Sequence, residues 1–229
     1  MAIVKKVKAV VNRVIRRGDD VFTLELSLQG RTAKFLPGQF LHLALDEYDP
    51  SYGWPESRCF SLQSSPKDSI VRLTYAVKGA YTQRMLEEIK PGTQLWLKLP
   101  YGDLFTRPHC KNKTIFIAGG TGVTPFLSLF GDEAFVAYNN PALYLGLRNE
   151  GHDFYGDELL QAQLINSALK IHRFIQEIDG LIDLNMVLGS ASSESHFFIS
   201  GPMKMIRWCR DSLRQRGVQE ERIFTDDWV

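Results

Sequence analysis

A two-part fold is predicted for this chain of 229 residues: an antiparallel β-barrel followed by an α/β unit with a parallel sheet. Three observations predict it. Up to about residue 99, apolar residues alternate with period two in short runs cut by turn residues. From residue 113 onward, short apolar runs alternate with helical patterns, the rhythm of parallel strands joined by right-handed crossovers. The length also suits two small domains, at roughly 100–200 residues each.

The elements follow in order. A first strand is basic, with Lys5, Lys6, Lys8, Arg13, Arg16 and Arg17 among its apolar residues. Val21–Leu28 is the next run, and residues 39–45 form another, introduced by Pro37-Gly38. Arg58-Cys59-Phe60-Ser61 begins a further strand. Over residues 70–77, Val71, Leu73, Tyr75 and Val77 face one way while Arg72, Thr74 and Ala76 face the other. One amphipathic helix is expected over residues 81–89. Leu95, Leu97 and Leu99 then resume the alternation, with Trp96 on the barrel exterior. Pro108, Asn112 and nearby charges mark a connector at residues 106–113, which divides the chain into 1–108 and 109–229. Beyond it the pattern predicts a strand at 114–118, a helix at 124–138 and a strand at Ala142–Leu147. A helix at 155–165 and a strand at 169–176 follow, then a helix at 181–188, a strand at 196–200 and a last helix at 202–216.

Composition excludes several classes. Hydrophobic residues are 44% and charged residues 23%, the balance of a globular core with a solvated surface. Lys and Arg number 27 against 26 Asp and Glu, so the net charge of +1 gives no general field for nucleic acid or an anionic membrane. The longest uncharged stretch, residues 114–131, is interrupted by Gly119, Gly120, Gly122 and Pro125, so it does not span a bilayer. Three scattered cysteines, Cys59, Cys110 and Cys209, fit neither a disulfide framework nor a four-thiolate metal site. The five histidines show no metal-ligand spacing, and no metal is expected. A reduced, cytoplasmic protein is the simplest reading.

Four clusters carry chemistry. Gly119-Gly120-Thr121-Gly122-Val123-Thr124-Pro125 follows a buried strand and opens a helix, where backbone without Cβ can approach a diphosphate. It departs from both Gly-x-Gly-x-x-Gly and the nucleotide-triphosphatase loop, and a ligand-free turn accounts for the glycines alone about as well. Arg58 and Ser61 offer a guanidinium for phosphate and a hydroxyl donor, although an ordinary strand with a surface arginine reads the same. Gly79-Ala80-Tyr81-Thr82 opens a helix, as any glycine turn does. Ser200-Gly201-Pro202 ends the last parallel strand, where ligands usually sit, and a bare Gly-Pro turn looks identical.

In this order and spacing, and with Phe35-x-Pro37-Gly38-Gln39-Phe40 and Pro100-Tyr101-Gly102, the clusters resemble the ferredoxin–NADP reductase superfamily over nearly the whole chain. The resemblance implies a Greek-key, flavin-binding barrel in 1–108 and a nicotinamide-binding domain in 109–229, with no iron–sulfur domain. It implies FAD, FMN being the lesser alternative, and NADH or NADPH as co-substrate, with hydride passing from nicotinamide to flavin. Flavin-binding roles fall on Arg58, Phe60, Ser61, Val77, Gly79, Ala80, Tyr81, Thr82 and Trp228. The dinucleotide falls to Gly119, Gly120, Thr121, Gly122, Thr124, Pro125, Arg148, Gly201 and Pro202. Ser61, Ser200 and Asp227 are the expected catalytic residues, and Trp228 covers a flavin face or packs between the domains.

Two departures from the family stand out: Phe60 where Tyr is common, and Ser200 where many members carry Cys. Glu177, a carboxylate at a strand tip, suits a ribose diol and points to NADH. The expected partner is a separate electron-acceptor protein of ferredoxin, flavodoxin or oxygenase type, with no nucleic acid and no membrane insertion. The basic first strand suits an acidic carrier, and suits an ordinary solvated face better. The competing functions are a free-flavin reductase and a non-catalytic flavin-binding subunit for electron transfer or sensing.

Overall fold

The computed structural model describes residues 3–30 and 34–226. Asp227 and Trp228, expected above in catalysis and flavin binding, lie outside the described residues. The first sheet contains β1 (Lys5–Arg16), β2 (Val21–Leu28), β3 (Phe40–Ala44), β4 (Ser57–Ser61), β5 (Val71–Ala76) and β6 (Gln94–Tyr101). All its pairs are antiparallel, in the order β4-β3-β6-β1-β2-β5. Just past β4, the Gln63 N–H donates to the Arg72 carbonyl of β5 at 2.8 Å. The two end strands therefore meet, and the sheet curls into a near-closed barrel. Alternation drives it: Ala9, Val11, Leu24, Leu26, Leu41, Leu43, Leu73, Leu95 and Leu97 all point inward and are buried. Each such leucine contributes about 1.5–3 kcal/mol by leaving water. Helix α1 (Ala80–Glu88) covers the barrel with Tyr81 and Met85, and the Tyr81 hydroxyl donates to the Leu43 carbonyl at 2.6 Å.

The second sheet is parallel throughout: β7 (Ile115–Gly119), β8 (Ala142–Leu147), β9 (Lys170–Ile175), β10 (Phe197–Ser200) and β11 (Ile223–Thr225). Its order is β11-β10-β7-β8-β9, so the winding reverses between β7 and β10. A crevice opens at the carboxyl ends of strands at such a reversal. Helices α2 (Thr124–Phe130), α3 (Gly156–Ile165), α4 (Gln176–Asp179), α5 (Leu184–Ser190) and α6 (Met203–Gln215) flank the sheet. One face packs Phe116, Phe126, Phe130, Phe135 and Phe198, with Phe116 and Phe130 edge to face at 5.0 Å. The other face packs Ile117, Tyr144, Ile199, Ile206 and Cys209.

Two helices differ from expectation. The helix expected to reach residue 138 stops at Phe130. Gly131 follows, and the Asp132 carboxylate accepts the Ala134 N–H at 2.9 Å, starting a short 3-10 turn instead. The helix expected at 181–188 begins at Leu184, because the Asp183 carboxylate caps it by accepting the Asn185 N–H at 2.8 Å. Strand β11 was not expected, being only three residues long.

The barrel and the parallel sheet touch through the Phe154 ring against Gly18, through Phe105 packed on Phe198, and through polar contacts. Arg17 bonds the Glu158 carboxylate at 2.6 Å and the Phe154 carbonyl at 3.2 Å. The Ser128 hydroxyl donates to the Ser64 carbonyl at 2.8 Å, and Ser65 donates to the Asp132 carboxylate at 3.1 Å. Among the described residues, no helix is long and apolar enough to cross a membrane, and no group of three or more His, Cys, Asp and Glu is placed to hold a metal.

Candidate functional site

The crevice between β7 and β10 opens toward the barrel as a cleft of about 820 Å³. Its floor is made of two turns pressed together. A Cβ on Gly122 would sit 2.5 Å from the Gly201 nitrogen and the Ser200 carbonyl oxygen, both of them backbone. A Cβ on Gly119 would meet the Met205 sulfur at 2.6 Å. These glycines let the turn after β7 lie against the turn after β10. Gly120 differs: its φ of +53° is left-handed, and nothing lies within 4 Å of where its Cβ would be. Gly120 and Thr121 both line the cleft. The Thr124 hydroxyl donates to the Thr121 carbonyl at 2.9 Å, fixing that bend.

The barrel supplies the facing wall. Cys59, Phe60 and Ser61 from β4 meet Thr74, Tyr75 and Ala76 from β5 there. Phe60 lies edge to face with Tyr75 at 6.4 Å, and Tyr75 stacks on Phe22 at 5.6 Å. Burial pushes the Tyr75 phenol up to about 12, so this wall stays uncharged near neutral pH. Beneath it the Thr74 hydroxyl donates to the Gln63 side-chain oxygen at 2.6 Å and pairs with Thr23 at 2.7 Å. At the far end, Arg148 and Gln176 stand at the tips of β8 and β9 among Phe174, Leu181, Ile182 and Trp208.

Ser200 ends β10 at the centre of this cleft, only 3% exposed. Its hydroxyl donates to the Asp226 carboxylate at 3.1 Å. Asp226 and Cys59 also line a second cavity of about 380 Å³, bounded by Phe40, His42, Tyr101 and Leu104. One wall thus separates the two spaces. Burial raises the Cys59 thiol's pKa, outweighing the Arg58 charge that lowers it. The His42 ring, with its pKa lowered first by burial and then by the Lys98 charge, lies 3.6 Å from that sulfur.

The sequence-derived residues divide into three groups. Phe60, Ser61, Gly119, Gly120, Thr121, Gly122, Thr124, Arg148, Ser200, Gly201 and Pro202 all line the one cleft. Arg58, Gly79, Ala80, Tyr81 and Thr82 gather on the barrel beside it. There the Arg58 guanidinium lies 4.8 Å from the centre of the Tyr81 ring and pairs with Glu56 at 2.8 Å. The Thr82 hydroxyl folds back to accept the Lys78 and Gly79 N–H groups at 2.9 and 3.1 Å. Pro125 is buried and Val77 half-buried, and neither lines the cleft. Sequence reading missed Asp226, Tyr75, Met205 and Trp208 in the lining. Asp226 stands next to Asp227, the acid that the sequence points to and that lies outside the described residues.

The chain matches the oxidoreductase NAD-binding domain family over residues 116–211. It is 26% identical over 222 residues to a flavohemoprotein of Rhizobium meliloti, covering 88% of this chain and 55% of that protein. It is 24% identical over 213 residues to the ferredoxin–NAD(+) reductase component of the alkene monooxygenase system of Xanthobacter autotrophicus, covering 87% of this chain and 63% of that protein. The chain therefore spans little more than half the length of these curated relatives. Among solved structures, the FAD/NAD-binding domain of a nitric oxide dioxygenase from Vibrio cholerae superposes with a TM-score of 0.80 at 17% identity, covering 97% of this chain and 98% of that one. A flavohemoglobin from Malassezia yamatoensis gives 0.81 at 22% identity, covering 96% of this chain and 59% of that one.

Proposed function

We propose that this chain, which has the two-domain fold and the NAD-binding domain of the ferredoxin–NADP reductase superfamily, is a cytoplasmic NAD(P)H-dependent flavoprotein reductase serving a separate electron-acceptor protein. The observation that carries this reading is the single cleft, in which the barrel's Phe60-Ser61 faces Ser200, Gly201 and the glycine turn of the parallel sheet. Residues 1–108 would hold the flavin and 109–229 the dinucleotide. FAD fits the residues present. The first-turn N–H groups of α1 have no intrahelical acceptor, and a guanidinium stands beside them, as a diphosphate requires. The apolar rings of Phe60 and Tyr75 suit a flat tricyclic ring, with the Ser61 hydroxyl at its edge.

When bound, the flavin supplies a two-electron acceptor for hydride and a donor toward the protein partner. The chain's own residues bind and orient. Gly120 and Thr121 would offer backbone N–H groups to the dinucleotide diphosphate, while Gly201 and Pro202 shape the nicotinamide end. Asp226 would hold the Ser200 hydroxyl in one orientation at that end. The coenzyme we favour is NADH. Gln176 lines the β9 tip, Glu177 follows it in exposed α4, and Arg173 is tied to Asp153 at 2.7 Å, which disfavours a 2′-phosphate there.

The test is anaerobic mixing of purified, flavin-loaded protein with NADH or NADPH while flavin absorbance is followed. Bleaching that is faster with NADH is expected. A protein that retains flavin but bleaches with neither coenzyme would leave only a flavin-binding subunit. A colourless protein that oxidises NADH only with added flavin would be a free-flavin reductase. Arg58→Ala is expected to weaken flavin binding about 10–100-fold, the loss of a charge-assisted contact worth about 1.5–3 kcal/mol, as read by equilibrium dialysis.

A further inference from the structure

Two half-buried histidines meet at the amino end of the parallel strands, at the opposite end of β10 from Ser200. His109 lies in the connector between the barrel and the sheet, and His196 immediately precedes β10. Their ring centres are 6.4 Å apart, and both pack on the Phe224 ring of β11, at 6.1 and 5.6 Å. Neither lines the cleft.

The two rings differ in how their nitrogens are occupied. The His109 Nδ1–H donates to the Arg107 carbonyl at 2.7 Å, which leaves Nε2 to accept from the Tyr138 hydroxyl at 2.6 Å. One neutral tautomer satisfies both contacts. His196 is caught between two. Its Nδ1 lies 3.2 Å from the Cys110 backbone nitrogen, whose N–H points at it, and 3.1 Å from the Glu194 carbonyl oxygen. The first contact needs a bare ring nitrogen and the second needs a proton on it, so each excludes the other. Among the described residues, the Cys110 N–H has no other acceptor. Its neighbours are held independently: the Asn139 N–H donates to the Lys111 carbonyl at 2.8 Å, and the Lys113 N–H to the Asn139 carbonyl at 2.7 Å.

The groups around the pair all oppose a charge on it. His109 and Arg222 face His196, the Arg222 guanidinium bonding the Ser193 carbonyl. Lys111 faces His109 from over the Tyr138 ring, Arg107 lies 4.5 Å from the centre of the Phe224 ring and pairs with Asp103, and the Cys110 sulfur accepts the Asn112 N–H. Burial first, then His109 and Arg222, lower the His196 pKa against the pull of the Glu194 carbonyl. Burial and Lys111 do the same at His109. Both rings are therefore neutral near pH 7 and take up protons below the ordinary 6.5. A proton on His109 would set a second N–H against the Tyr138 hydroxyl, whereas one on His196 finds the Glu194 carbonyl already in place. We infer that His196 is an acid-sensitive latch on the connector: neutral, it holds the Cys110 N–H, and protonated at Nδ1, it donates to the Glu194 carbonyl and lets the connector go. The joint it loosens is the one between the barrel and the parallel sheet.

Amide hydrogen exchange of the full chain, followed by NMR from about pH 7.5 to about pH 5 and corrected for the intrinsic rate at each pH, tests the latch. Protection of the Cys110 N–H is expected to fall about tenfold, as for one lost hydrogen bond, with a midpoint below 6.5. The Ile115 N–H, which donates to the His196 carbonyl at 2.9 Å, and the Lys113 N–H keep their protection, which separates release from unfolding. His196→Asn puts an amide oxygen near the place of Nδ1, so Cys110 stays protected throughout. His109→Gln removes the facing imidazole, so the wild-type midpoint moves to higher pH. Constant protection of Cys110 in wild type overturns the proposal. So does a loss that persists in His196→Asn, a loss shared by Ile115, or an unmoved midpoint in His109→Gln. The nitrogen shifts of the wild-type imidazoles need no variant: an unprotonated His196 Nδ1 at neutral pH is expected, and a protonated one overturns the latch outright.

Discussion

At the scale of single residues, the two kinds of glycine in one turn fail for different reasons when replaced. Gly122→Ala drives a methyl group into backbone on the facing turn, which has no side chain to swing aside. A loss of about 1–3 kcal/mol is expected, roughly 2–12 °C in Tm by thermal denaturation, together with a lost response to NADH. Gly120→Ala has open space around it and meets only the left-handed backbone, so about 1–2 kcal/mol is expected and no clash. Asp226→Ala removes the acceptor of the Ser200 hydroxyl. Stopped-flow bleaching is expected to slow about tenfold while NADH affinity changes little, the signature of a positioning residue. An unchanged rate would leave Asp226 as mere lining. Sequence alone does not single out Asp226, whose chemistry equals that of Asp227; the parallel pairing of β11 with β10 is what carries Asp226 to Ser200.

At the scale of elements, what was legible follows from periodicity and what was not follows from capping. Strands β2, β5 and β8 could be read to within a residue or so because alternation or a continuous apolar run leaves little choice of register. The end of α2 and the start of α5 were misread because single aspartates, Asp132 and Asp183, competed for backbone N–H groups within otherwise helical patterns. The site was legible where glycines or a Pro turn end parallel strands. It was illegible at Tyr75 and Trp208, which look like ordinary core and surface residues until the two sheets meet. Helix α6 carries a prediction of its own. Ile206, Cys209 and Leu213 form its buried stripe, and burial pushes the Cys209 thiol up to about 12. In the unfolded chain that thiol ionises near 9, so stability is complete below that pH and is lost progressively toward about 12. Chemical denaturation across this range should show a steeper decline for wild type than for Cys209→Ala. Native Cys209 should also resist thiol reagents that modify partly exposed Cys110.

At the scale of the whole molecule, the cleft exists only while the barrel and the parallel sheet hold their mutual position. That position rests on the packing of Leu104 and Phe105 into the core around Phe116, Phe126 and Phe198, and on a few polar contacts, of which Arg17 with Glu158 is the most enclosed ion pair, the side chains being 19% and 27% exposed. Glu158→Gln keeps the shape and removes the charge. A loss of about 1–2 kcal/mol is expected, roughly 2–8 °C in Tm. In a double-mutant cycle with Arg17→Ala the two effects should fall short of additivity, and strict additivity would show the pair to be decorative. The backbone contact between Gly122 and Gly201 has a wider consequence for how such a scaffold changes over time. Where main chain rests on main chain, selection has no side chain to vary, and a directed-evolution library placed there would return mostly dead clones. Retuning for another coenzyme must therefore come from the rim, at Arg148, Gln176 and Trp208, while the floor is inherited unaltered.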